Sequence, residues 1–307
     1  MSDKPRSGTI LCVGRVYCDL IFTGIDAMPE LGRETFVNGV NLHAGGGGYI
    51  TAAYLSALGN KVSLATMLPA EPFGSVVTDE INHMNIENRF CEPAANGGEP
   101  QITVAMVKDG ERAFLTKRTG LSVPLGIEEC FLDQTLTHLH IGELTTLIEH
   151  PELVAHARNA GISISLDCGW DDEAFKHPNL DQLIGAVDIF LPNLAEATQL
   201  QENGCKLDIA ALTVIKLGSN GAELHSKGSY HKRQAQAVQV IDSTGAGDAF
   251  NAGFIDAWLN GMDSNACLDA GNHAGAIAVA RVGGASGLSA SCLCQSQSIP
   301  APYLQIS

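Results

Sequence analysis

Basic residues are scarce in this chain. Its 307 residues include 18 lysines and arginines against 34 aspartates and glutamates, a formal charge of −16 with histidine neutral. A protein of that sign is repelled by phosphate backbones and anionic membrane surfaces, so neither nucleic acid nor a membrane is an expected partner. One small anion remains bindable, because backbone amides hold phosphate locally whatever the net charge. Long apolar runs are also missing: no uninterrupted apolar window reaches the roughly 18 residues that a membrane span needs. The polar opening, residues 1–8, passes straight into the short apolar run 9–14, too short for the core of a secretory signal. The nine cysteines, at 12, 18, 91, 130, 168, 205, 267, 292 and 294, are odd in number and form no CxxC framework. The lone pair Cys292 and Cys294 offers too few ligands for a metal. Reduced thiols and a cytoplasmic location are expected. Repeats, charge blocks and low-complexity tracts are absent as well. What remains, 45% apolar and 17% charged residues, excludes a disordered chain and supplies a sizeable core.

Along the chain, short β-rich runs alternate with helical ones. Residues 9–13 form an apolar strand that stops at Gly14, and the glycine-rich 45–48 opens a helix over 49–58 that ends at Gly59 and Asn60. The run 61–67 reads as the next strand, and 72–84 as a helix with proline in its first turn. Further on, the spacing predicts strands over 137–141, 162–167, 187–191 and 212–217, with helices over 151–159, 179–184 and 194–202 between them. That alternation argues for an α/β fold with βαβ units and a mainly parallel sheet. Two long Ala- and Gly-rich helices, 246–260 and 263–282, close the pattern. The stretches 15–43 and 99–119 break it. They carry strand signals with no helix between, and Asp109 and Gly110 sit between 101–108 and 112–117 as a hairpin turn would. They are expected to form a small β-flap within one domain spanning 1–307; ordinary edge strands are the plainer reading.

The segment 242–250 carries the most chemistry. It follows an expected strand, 237–241, and opens a helix. Small residues at Gly245, Ala246 and Gly247 let successive backbone N–H groups point into one concavity, and the positive end of a helix dipole favours an anion there. Asp248 lies in the first turn, beside that anion site. A carboxylate in such a place is suited to take the proton of a hydroxyl attacking a phosphoryl group. The helix dipole is expected to keep it ionised and therefore a weak base. The plainer alternative is a capped helix start, since acids favour a first turn.

The run from Asp242 to Phe254 resembles the C-terminal signature of the ribokinase-like (pfkB) sugar kinases. The stretch from His43 through Gly48 to Leu58 and Gly59 resembles the N-terminal signature of the same family, Asn193 to Glu196 its Asn-x-x-Glu motif, and Lys216 to Ala222 its nucleotide-binding strand and turn. Order and spacing agree from about residue 9 to 288. The resemblance implies a three-layer fold, a central sheet between helices with a β-sheet lid over the sugar, and transfer of the γ-phosphoryl of ATP to a sugar-type hydroxyl. It assigns Asp248 as catalytic base and the amides of Gly245, Ala246 and Gly247 as anion hole. Asn193 and Glu196 would position the phosphates and Mg²⁺, the latter indirectly, although their spacing also reads as a helix-capping box. Lys216, Gly218, Ser219 and Gly221, with Asn272 and Gly275 for the adenine, fall at nucleotide positions. Asp242 and Thr244, with carbonyls near Val279, Val282 and Gly284, match a monovalent-cation site, so K⁺ joins ATP and Mg²⁺ as an expected cofactor. On the sugar side, Asp19 matches a hydroxyl acceptor and Gly45 and Gly46 a close backbone approach; Glu143 and Arg118 are further candidates. Relatives often dimerise through the lid strands, so a homodimer is expected.

Three positions depart from the ribokinase pattern. Tyr17 stands where an Asn is usual, and Gly47 and Ile50 where a Lys and an Asn are usual. Losing a sugar-binding amide removes hydrogen-bond partners, which argues against D-ribose and for a larger or less polar acceptor. A nucleoside kinase of the same fold and a non-catalytic sugar-sensing relative are the alternatives. A dinucleotide-binding oxidoreductase is disfavoured, because Gly45–Gly48 does not directly follow the first strand.

Overall fold

The computed structural model describes residues 8–94, 97–108, 111–281, 283–286 and 288, with backbone only at 111 and 112. The chain opens with strands β1 (Thr9–Val13), β2 (Tyr17–Thr23) and β3 (Gly39–Gly45), then helix α1 (Gly47–Ala57). Next come β4 (Lys61–Met67), α2 (Phe73–His83), β5 (Glu87–Glu92) and the hairpin β6 (Ile102–Lys108) and β7 (Glu111–Lys117). Alternation resumes with β8 (Leu136–Ile141), α3 (Leu144–Glu149), α4 (Glu152–Asn159), β9 (Ser163–Asp167) and α5 (Leu180–Gly185). It continues through β10 (Ile189–Leu191), α6 (Leu194–Glu202) and β11 (Leu212–Lys216). A second hairpin, β12 (Ala222–Ser226) and β13 (Ser229–Arg233), precedes the long helices α7 (Ala246–Leu259) and α8 (Ser264–Val279).

Among the described residues, nine strands form one sheet in the order β13-β12-β11-β10-β9-β8-β1-β4-β5. The seven from β11 to β5 pair in parallel; β12 and β13 add antiparallel at one edge. The central strands are buried along their length, as apolar runs covered by helices on both faces must be. One core cluster gathers α1, α7 and α8 on one face, and another gathers α3, α4 and α5 on the other. The carboxyl ends of β1, β8, β9, β10 and β11 meet along one rim, where open α/β sheets bind ligands.

The stretches 15–43 and 99–119 become a separate four-stranded sheet, β3-β2-β6-β7. The cross-strand row His43–Asp19–Thr103–Thr116 marks one of its faces. The row Leu42–Leu20–Val104–Leu115 lies on the other, where Leu42 and Leu115 are exposed.

Two expectations about the elements are corrected. Residues 237–241 join no ladder; the Ile241 and Asp242 amides instead donate to the Val279 carbonyl at 2.7 and 3.2 Å. That strap takes up the last carbonyl of α8, so the helix ends at Val279 rather than 282. Strand β5 and the β12–β13 hairpin had no counterpart in the sequence reading. Val282, Cys292, Cys294 and the tail beyond 288 lie outside the described residues, and the seven described cysteines are free thiols.

Candidate active site

Gly245 has φ +71°, a left-handed conformation that turns the chain into α7, and the Ala249 amide donates to its carbonyl at 2.8 Å to start the helix. The Ala246 amide is shared with the Ser243 carbonyl at 3.3 Å. Ser243, Ala246, Gly247 and Asp248 line a cleft of about 930 Å³ that runs along the strand ends to the lid. Gly142, Glu143, Asp167, Asn193 and Lys216, all at or just beyond those ends, line it too.

Asp248 is not alone. Asp167, the last residue of β9, is its hydrogen-bonding neighbour. Asp167 accepts from Lys216 Nζ at 2.8 Å and from Asn251 Nδ2 at 2.7 Å, while the Lys216 ammonium also donates to Asn251 Oδ1 at 3.1 Å. Three carboxylates, Asp167, Glu196 and Asp248, therefore surround one lysine. Burial and Asp167 push Asp248 up to about 7, with Lys216 acting in the opposite sense. Burial and Asp167 likewise push Glu196 up to about 7. This corrects the expectation of an ionised, weak Asp248: burial first, and the neighbouring Asp167 second, outweigh the helix dipole. Burial alone would lower Lys216, but the surrounding carboxylates hold it above the ordinary lysine value. Lys216 reaches the anion turn as well, since a Cβ on Gly247 would sit 3.4 Å from its ammonium.

Beneath this cluster runs a buried polar chain. His138 bonds Ser163 and Ser165 at 2.8 Å each, and His140 bonds Ser165 at 2.9 Å. Burial lowers both imidazoles, to about 3 and about 4, so both are neutral.

On the nucleotide side the capping box is real. Asn193 Oδ1 accepts from the Glu196 amide at 3.0 Å, and Glu196 Oε2 accepts from the Asn193 amide at 2.8 Å. Glu196 thus serves the helix while remaining on the cleft wall. Gly218, Ser219, Gly221 and Gly275 line the same wall. Asn272 does too, but its amide donates at 3.3 Å to the carbonyls of Arg233 and Gln234, holding the strap against α8. Asp242 is buried; it accepts from the Thr244 amide and hydroxyl at 2.9 and 2.6 Å and from the Gly283 amide at 2.9 Å. The Gly284 carbonyl accepts from Tyr54 at 3.3 Å.

On the lid side, a Cβ on Gly45 would overlap the Asp19 carboxylate, so glycine there lets that side chain lie across the strand. Glu143 stands at the N-terminal boundary of α3 and accepts from the Thr146 hydroxyl at 3.0 Å and from the Arg15 amide at 3.3 Å; burial raises its pKa. Arg118 pairs with Asp171 in the β9–α5 loop. Ile50 is not a sugar contact in waiting: it is buried against Gly245 and Gly284.

Sequence reasoning missed Asp167, Asn251 and Arg15. Asp167 ends a strand that periodicity identifies, and Asn251 stands one helical turn past Asp248, so position relative to known elements was the available signal. Arg15 immediately follows the glycine that ends β1. It is 2% exposed, and its guanidinium donates to Gln101 Oε1, to the Thr119 and Gly120 carbonyls and to Glu149, at 2.6–3.0 Å.

A model of the pfkB family of carbohydrate kinases matches residues 8–291. The chain belongs to that family. Like its pfkB relatives it is a phosphotransferase with an alcohol group as acceptor. An ATP-dependent ribose-1-phosphate kinase of Halopiger xanaduensis is 24% identical over 290 residues, covering 90% of this chain and 94% of the relative. The structure of Arabidopsis thaliana ribokinase with ribose and ATP superposes with a TM-score of 0.77 at 20% identity, over 94% of this chain and 98% of that one. A nucleoside kinase of Methanocaldococcus jannaschii superposes at 0.75 with 19% identity, over 94% and 98%. The pfkB fold is thus shared with kinases for both sugars and nucleosides. No helix among the described residues is long and apolar enough to cross a membrane.

Proposed function

We propose that this chain, as one kinase domain with a β-lid, transfers the γ-phosphoryl of ATP to a hydroxyl of a small carbohydrate, with Asp248 as general base. One observation carries the reading. Asp248 sits at the amino end of α7 in a single cleft, with Glu143 and Phe114 of the lid side at one end and Gly218, Ser219, Asn272 and Gly275 at the other. A hydroxyl held by Asp19 and Glu143 would lose its proton to an Asp248 oxygen late in the transfer, as its own oxygen bonds the phosphorus. The amides of Gly245 to Gly247, together with Lys216, stabilise charge on the transferring group. Lid closure excludes water, which would otherwise take the phosphoryl group.

The oxygen donors and negative charge of Glu196 and Asp167, with Asp248 left to the acceptor hydroxyl, fit Mg²⁺. Among the described residues no three His, Cys, Asp or Glu side chains could hold a metal by themselves, so the ion is shared with phosphates and water. Bound there, Mg²⁺ supplies neutralising charge to the phosphates. For K⁺, Asp242, Thr244 and the carbonyls of Val279 and Gly284 are the set. The Val279 carbonyl already accepts from two amides, those of Ile241 and Asp242, whereas the Gly284 carbonyl accepts from Tyr54 and keeps a second lone pair, so Gly284 is the better placed of the two. The exposed row Leu42 and Leu115 on the outer lid face supports a homodimer through the lid strands. We place the enzyme in the cytoplasm.

Phe114, an aromatic ring on the cleft wall, favours a nucleoside as the second reading, because it offers a stacking surface for a base. The test is an ADP-release screen with MgATP over pentoses, hexoses, sugar acids and nucleosides, with and without K⁺. One acceptor raising turnover well above the background hydrolysis is expected. No turnover with any acceptor, despite calorimetric binding of MgATP, would overturn the assignment.

A further inference from the structure

The relatives differ in one property of their acceptors. Ribose 1-phosphate carries a negative charge, whereas ribose and nucleosides do not. Resting on the kinase reading above, the charges at the lid end of the cleft choose between these classes. An anionic acceptor needs a cation to receive its carboxylate or phosphate. The cationic side chains at the roots of the lid, Arg15, His43, Lys117 and Arg118, are each already engaged, Lys117 with Glu99.

Arg15 is buried, and its guanidinium is taken up by Gln101, the carbonyls of Thr119 and Gly120, and Glu149. His43 is paired with Glu80 at 2.9 Å. Arg118 lies close enough to Tyr17 and Glu143 for their charges to act on it, but its guanidinium is drawn onto Asp171. Asp171 is a fixed anchor. Its Oδ1 accepts from the amides of Glu173 and Ala174 at 3.0 and 2.9 Å, and its carbonyl accepts from Phe175 at 3.0 Å. Burial alone would raise the Asp171 carboxyl, yet Arg118 and those amides hold it below the ordinary range, so it is fully charged at neutral pH. Against these paired cations, the Glu143 and Asp167 carboxylates line the cleft, and Asp19 adds another on the lid, across Gly45. Carboxylates accept hydroxyl hydrogens well and repel anions.

We infer that the acceptor is an uncharged, hydroxyl-rich molecule, a free sugar or a nucleoside, and that the Arg118–Asp171 ion pair is the specificity determinant that closes the site to sugar acids and sugar phosphates. Asp171 does this by withholding the lid-root guanidinium from the cleft.

The test uses the full chain, MgATP and acceptor pairs that differ only in an ionised group: ribose with ribose 1-phosphate, an aldose with its aldonic acid, a nucleoside with its 3′-phosphate. Turnover is read by ADP release and binding by calorimetry. In the wild type, the neutral member is expected to show at least 100-fold higher kcat/KM. Asp171→Asn keeps an oxygen for the Glu173 and Ala174 amides but frees Arg118. It is expected to narrow the preference at least 10-fold, with KM for ATP and Tm nearly unchanged; adding Arg118→Met removes that gain. A wild type that prefers the anionic member, or an Asp171→Asn ratio equal to that of the wild type, overturns the inference. The failure of the kinase reading looks different: the neutral member binds more tightly than the anionic one but neither turns over, which upholds the charge preference alone. Binding of neither member overturns both.

Discussion

The two sheets are held in place by different forces. In the nine-stranded sheet β1 is buried at all five residues, and helices cover both faces. In the lid sheet β2 buries only Cys18 and Ile21 and β6 only Thr103 and Ala105, and the outer row leaves Leu42 and Leu115 in solvent. The body is therefore fixed by apolar packing over its whole area. The lid is fixed at its roots alone, where Cys18, Ala44 and Ile102 join the apolar core, Glu80 of α2 holds His43 and the Ala44 amide, and Arg15 ties the entry to β2, the start of β6 and the exit from β7 to the body helix α3. On the proposed reading, the reacting carboxylates and Glu143 sit on the body, and Asp19, the other acceptor contact, sits on the lid. Chemistry and selectivity are thus separable by substitution.

The sharpest way to break that separation is at the base. Asp248→Asn is expected to lower kcat about 10³-fold while MgATP still binds, measured by steady-state kinetics beside calorimetry; a loss of less than ten-fold would take Asp248 out of its role. At the clasp, Arg15→Met leaves the buried Gln101 without its partner and the solvent-open Glu149 unpaired, a loss of about 2 kcal/mol read by denaturant unfolding. It should raise KM for the acceptor and the fraction of ATP hydrolysed without transfer, with KM for ATP little changed. Gly45→Ala pushes the Asp19 carboxylate aside and should raise acceptor KM about 10-fold, as expected for losing a hydrogen bond to a charged group, with the ATP side intact. A smaller effect concerns pH. Since Asp248 must be ionised to act, kcat/KM should rise with pH through about 7 in the free enzyme. Lys216→Met removes the cation that opposes that shift and should move the ascending limb to higher pH.

Smallest at neutral pH, and growing as pH falls, is the contribution of the buried imidazoles. His138 and His140 are neutral when folded, lowered to about 3 and about 4, whereas in the unfolded chain they take up protons near 6.5. The unfolded state binds more protons over that window, so stability should decline as pH drops from about 6.5 towards 4, by on the order of 3 kcal/mol for each histidine. His138→Asn should flatten that slope, as followed by Tm against pH.

The same division governs what the sequence disclosed. The glycine turn, Asp248, Asn193 and Glu196 are legible because local chemistry dictates them: a left-handed turn, a helix start and a capping box each have a short-range signature. The strands from 137 to 217 are legible because burial on both faces demands continuous apolar runs. Asp167 and Arg15 are not, since each becomes meaningful only through partners 49 and more residues away. The segment 237–241 misled for a related reason. Its apolar alternation is that of a strand, but the hairpin partner β13 already closes the edge, and the segment packs on the end of α8 instead.

In the lid, β2 and β6 run parallel. They are separated in sequence by α1, β4, α2 and β5, so neither hairpin can find its neighbour until that intervening part of the body has been laid down. Loop closure over so long a separation makes the lid a late event in folding. The same distance makes it the first to open, with its central amides exchanging hydrogen with solvent far sooner than those of β1 and β8.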